Sequence, residues 1–118
     1  MTDALPLVPI SHDNLSYLLA AMLVYQQYRK KKTPPSVERA HTLLVLEVLL
    51  PRLYLGTSVQ EGSLPLLLTV DDVQVLKSGL TTLLDHMNRR PASRARAKEV
   101  ARLKELKTLL DQHFPATQ

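Results

Sequence analysis

The sequence predicts an all-α fold, a four-helix antiparallel bundle with an extended N-terminal arm and one long connection between helices 2 and 3. Three observations predict it. The stretch from Thr42 to Leu50 is apolar on almost every side, interrupted only by Thr42 and Glu47. As a helix it has no wet face, so it must be enclosed by neighbours or by a partner chain. Aromatic residues make up 4% of the chain and tryptophan is absent, so the core has to be built from leucine and valine. Finally, four stretches carry apolar residues at intervals of three and four, the period of an amphipathic helix, and are separated by proline-bearing or glycine-bearing breaks. With 118 residues, 45% hydrophobic and 22% charged, the chain has the length and balance of one globular domain.

Residues 1–10 set Pro6 and Pro9 among Leu5, Leu7, Val8 and Ile10, which forbids a regular helix and predicts an arm pinned by its apolar side chains. Ser11 is a suitable N-cap, Asp13 places an anion in the first turn, and Ile10 and Leu15 stand at hydrophobic-staple positions. The first helix is expected over 11–32, with Leu15, Leu18, Leu19, Met22, Leu23, Tyr25 and Tyr28 as its stripe. The run from Arg29 to Lys32 lies where the helix dipole favours cations.

The sequence Thr33-Pro34-Pro35-Ser36 breaks the chain, and Pro35 suits the first position of a second helix over 35–55. Pro51 predicts a kinked last turn, with Gly56 as C-cap. The connection from Gly56 to Leu68 holds two of the three glycines. Its Leu64 to Leu68 portion is expected to lie extended across the bundle without forming a true sheet. Thr69-Val70-Asp71-Asp72 has the form of a capping box and starts a third helix over 70–88, whose Val73, Leu76, Leu80, Leu83 and Met87 make a bundle seam. Ser93 caps a fourth helix over 93–114. Its Val100, Leu103, Leu106, Leu110 and Phe114 face inward, and Arg94, Lys98 and Arg102 face solvent.

Function is less legible. The chain contains no cysteine, so disulfides, thiolate metal sites and cysteine nucleophiles are excluded, which fits a reducing compartment. The N-terminus lacks the basic and apolar regions of a signal peptide, and no charge-free run reaches the ~18 to 20 residues of a membrane span. A cytoplasmic location is expected. No Gly-x-Ser-x-Gly elbow or glycine-rich phosphate loop is present, and helix capping accounts for Asp71 and Asp72. Glu38 and His41 have the Glu-x-x-His spacing of di-iron bundles, but no second such pair accompanies them. No catalytic, metal or cofactor site is therefore assigned.

Two surfaces remain. The net charge of +4 is segregated, with eight basic residues against two acidic ones between Arg89 and Lys107. Arg89, Arg90, Arg94, Arg96, Lys98 and Arg102 form a candidate basic surface. It suits phosphates, and with helix 3 it suggests a helix-turn-helix, while the bland reading of the same charges is a solvated face. The second is a leftover apolar surface on helices 1 and 2, assigned to Leu19, Leu23, Leu43, Leu46 and Leu50, because four short helices cannot fully enclose so apolar a pair. The expectation is a non-enzymatic binding or regulatory protein that docks a protein partner or itself as a homodimer. The alternative is a nucleic-acid-binding protein using the basic surface.

Overall fold

The computed structural model describes residues 8–57, 63–66 and 68–114. Residues 1–7 of the expected arm, and residues 58–62 and 67 of the long connection, lie outside them. In chain order the elements are β1 (Val8–Ser11), α1 (His12–Lys32), α2 (Val37–Thr57), β2 (Ser63–Leu66), α3 (Val70–Asn88) and α4 (Arg94–His113). The fold is an all-α helical bundle.

Local sequence sets most boundaries. The Ser11 hydroxyl accepts from the Asn14 amide, and Ser93 accepts from Arg96, so both serines cap as their residue type favours. Thr69 and Asp72 form a reciprocal capping box: the Thr69 hydroxyl accepts from the Asp72 amide at 3.1 Å, and the Asp72 carboxylate accepts from the Thr69 amide at 3.0 Å. The second helix starts later than expected, at Val37 rather than Pro35. Ser36 provides its cap, with the hydroxyl accepting from Arg39 and the carbonyl accepting from Ala40, so the two prolines lie outside the helix. At its other end α2 runs through Pro51 and past Gly56 to Thr57. The Thr57 carbonyl accepts from the His12 ring at 2.8 Å, a long-range partner from α1 that no local sequence signal marks.

Two contacts fix α1 and α2 as an antiparallel hairpin. Arg29, near the end of α1, hydrogen-bonds Glu38 at the start of α2, while His12 at the start of α1 meets Thr57 at the end of α2. Likewise Lys77, in the first half of α3, pairs with Asp111 near the end of α4 at 3.3 Å, toward the end of the α3–α4 hairpin away from its turn. The α3 helix packs against all three others and is the hub of the bundle. Gly79 favours the close approach to α1: a Cβ there would lie 2.8 Å from Met22 Cε and from Tyr25 Cδ2, so the Met22 tip and the Tyr25 ring would have to shift to admit a side chain.

The core is leucine-rich, as the aromatic-poor composition requires. Leu15, Leu18 and Met22 of α1, Leu46, Leu49 and Leu53 of α2, Leu76 and Leu80 of α3, and Leu106 and Leu110 of α4 are fully buried. The connection differs from expectation. Residues 63–66 form a true antiparallel ribbon with β1, in the register Val8↔Leu66 to Ser11↔Ser63. Backbone pairing satisfies those polar groups of each extended segment that face the other strand. Ile10 of β1 and Leu68, between β2 and α3, are buried in the core.

Candidate interaction surfaces

The second helix has two apolar faces, and the bundle covers one. Thr42, Leu46, Leu49, Leu50 and Leu53 point inward. On the opposite side Val37 is 89% exposed, Leu44 and Val48 are each 63% exposed, and Leu55 is 66% exposed. Pro51 is exposed between them, and the His41 side chain lies in the same row. At 100° per residue, positions 37, 41, 44, 48, 51 and 55 fall along one side of the helix, so the residues form a continuous strip. Scattered exposed leucines are ordinary, but an aligned strip is the kind of patch that marks an interaction site.

The edges of this strip are polar. On one side stands α3, whose Asp71 lies 3.8 Å from His41 Nε2 and whose buried Asp72 accepts from Arg52 Nη1 at 3.0 Å. On the other side are Ala40, Glu47 and Tyr54, all exposed. Glu47 has no ion-pair partner among the described residues.

The structure redistributes the interface residues expected from sequence. Leu46 and Leu50 belong to the chain's own core and are inaccessible to a partner. Leu19 is partly buried against that core, Leu43 is half-buried and Leu23 is exposed. Five leucines proposed as one outward surface are thus divided between the bundle interior and its margin. The residues that do face outward, Leu44, Val48 and Leu55, carry a signal available in the sequence: their spacing with Val37 fits a second stripe.

The basic residues also divide. Arg89, Arg90, Arg94 and Lys98 are exposed, whereas Arg96 and Arg102 are half-buried. Arg96 donates to the Arg90 carbonyl at 3.2 Å and thereby ties the α3–α4 turn. Arg102 lies over the Tyr17 ring, 5.2 Å from its centre, in a cation–π contact. Tyr17 donates to Glu99, so an α1 phenol, an α4 carboxylate and an α4 guanidinium form one polar cluster. Burial first, then the bond to the Glu99 carboxylate, push the Tyr17 phenol well above its ordinary range. Beside this cluster, Ala20, Val24, Leu83, Met87 and Leu103 line a shallow groove of about 130 Å³.

The remaining polar candidates are engaged in structural contacts. Glu38 bonds Arg29 and Thr42, and the Arg29 guanidinium holds its carboxyl below the usual range. His41, the other half of the Glu-x-x-His spacing, faces Asp71 instead. No cluster of three His, Asp or Glu occurs among the described residues, and no described helix is long and apolar enough to cross a membrane. In comparisons with known proteins, the chain matches no family model, no curated protein and no solved structure.

Proposed function

We propose that this is a non-enzymatic docking protein whose working surface is the outer face of α2. The observation that carries the reading is the aligned strip of Val37, Leu44, Val48 and Leu55, each more than half exposed although four helices are available to cover them. Leaving such a strip in water costs solubility, and docking removes it from water. The polar edges supply the rim that an interface of this type carries around an apolar centre.

Size in a lysate of the cells that make the protein tests this reading. The wild type is expected in an assembly larger than its 13.3 kDa chain. The double variant Leu44→Ser/Val48→Ser is expected at the size of a single chain that, once purified, still unfolds cooperatively, having lost only the stability that assembly contributes. Wild type that elutes as a single chain, or a variant that stays assembled, overturns it.

A second reading, nucleic-acid binding by α4, is favoured by one specific observation. The first turn of α4 contains no acid, unlike those of α1, α2 and α3, and is bordered by the exposed Arg89, Arg90, Arg94 and Lys98. An anion there would meet both side-chain cations and unpaired backbone N–H groups. This reading predicts binding to generic duplex DNA that falls steeply with salt and is lost on neutralising Arg94, Arg96 and Lys98 together. Absence of binding at low salt removes it.

A further inference from the structure

The exposed strip has a finer order than apolar composition alone. Its residues, Val37, His41, Leu44, Val48, Pro51 and Leu55, are spaced four, three, four, three and four apart, which is the repeat of a two-stranded coiled-coil seam. His41, Val48 and Leu55 then take the a positions, and Val37, Leu44 and Pro51 the d positions. The seam runs from Val37 to Leu55, nearly the whole of α2, or about 27 Å at 1.5 Å per residue. Its central layers combine a β-branched residue at a, Val48, with leucine at d, Leu44, the combination that favours two parallel strands.

The flanking positions carry the same instruction. Ala40, Glu47 and Tyr54 occupy g, while Glu38, Val45 and Arg52 occupy e. In a parallel pair each g residue faces the partner's e residue five positions on. Ala40 then meets the partner's Val45, apolar against apolar, and Glu47 meets the partner's Arg52, anion against cation. The Arg52 guanidinium donates to Asp72 at 3.0 Å, which holds its positive charge at the edge of the strip. An antiparallel pair would instead set g against g, bringing Glu47 beside the partner's Glu47 across the two-fold axis.

We infer that the occupant of the outer face of α2 is a second copy of the same helix, packed in parallel and in register, with Leu44 and Val48 at its centre and Glu47 paired to the partner's Arg52. This rests on the docking reading above and names its partner.

The full chain contains no cysteine, so single-cysteine variants report the geometry directly. The purified protein is expected to sediment as a dimer. Val48→Cys alone and Leu44→Cys alone should each cross-link to their own kind with a short bismaleimide, because a meets a and d meets d. An equimolar mixture of the two variants should yield no preferential mixed product. Glu47→Lys should weaken the dimer by about tenfold, as expected when two rim ion pairs become like-charge pairs, and Glu47→Gln by less. If only the mixed 44–48 product forms, the helices run antiparallel and the parallel pairing is overturned while the docking face stands. If the purified wild type is a monomer at all concentrations, the second copy is overturned as occupant. Assembly in the cell lysate would then show that the docking reading survives with another partner, and a single chain there would remove both.

Discussion

The two faces of α2 are made of the same material and have opposite fates. Leu46, Leu49 and Leu53 are fully buried, whereas Leu44, Val48 and Leu55 on the far side are each about two-thirds exposed. Residue type does not distinguish them, nor does helix propensity. Position relative to α1 and α3 does, since both neighbours pack on one side and leave the other open. Hydrophobicity therefore states that a surface has to be covered, and topology decides whether the same chain does the covering.

The contrast is sharpest in stability. Leu46→Ala on the inner face removes a fully buried side chain and is expected to cost about 2 to 5 kcal/mol in chemical denaturation, with an unchanged m-value. A mild loss there would mean that the inner face is loosely packed and the two faces are less different than they look. Next comes the contact that places α3 against the hairpin. Gly79→Val drives a side chain into Met22 and Tyr25, and about 1 to 3 kcal/mol of destabilisation is expected from overpacking. Neutral behaviour in the same assay would show that α1 and α3 can separate at little cost.

Smaller effects belong to the ends of the helices. Thr69→Ala removes one half of the capping box and should lower stability by about 1 kcal/mol, while Thr69→Ser should largely preserve it. On the outer face, Leu44→Ser and Val48→Ser are expected to change monomer stability by no more than about 0.5 kcal/mol, because the side chains have little packing to lose. Their effect should appear in assembly alone.

The Tyr17–Glu99 contact between α1 and α4 adds a pH dependence. A phenol whose pKa is higher in the folded than in the unfolded chain contributes its full stability below the unfolded value, about 10, and loses it as pH rises toward the folded value. Melting measured from about pH 9 to about 12 should therefore fall less steeply for Tyr17→Phe than for wild type. Parallel profiles would show that Tyr17 is not held protonated by the fold.

Much of the bundle was legible because local signals agreed with the tertiary arrangement. Ser11, Thr69 and Ser93 cap where a short side-chain oxygen before a periodic run says they should. The inward residues of α4 are also the expected ones, because only one of its faces is apolar: Leu103, Leu106, Leu110 and Phe114 are buried. The α2 helix defeats the same argument, since a hydrophobic period cannot choose between two apolar faces. Leu46 and Leu50 are therefore expected outward from the sequence and lie inward. The strand pairing of residues 63–66 was not legible because it depends on a partner more than fifty residues away. Gly79 does carry a readable signal, since a glycine inside a helical seam marks a close helix approach.

The central claim is that the outer face of α2 serves assembly and the inner face serves folding. Sedimentation equilibrium and thermal melting of the wild type, Leu46→Ala and Leu44→Ser/Val48→Ser, measured on the same purified samples, test it most directly. The account predicts a dimeric wild type, a destabilised inner-face variant, and an outer-face variant that is monomeric and melts as a folded monomer of undiminished intrinsic stability. An outer-face variant that remains as assembled as the wild type, or that unfolds as readily as Leu46→Ala, would contradict it.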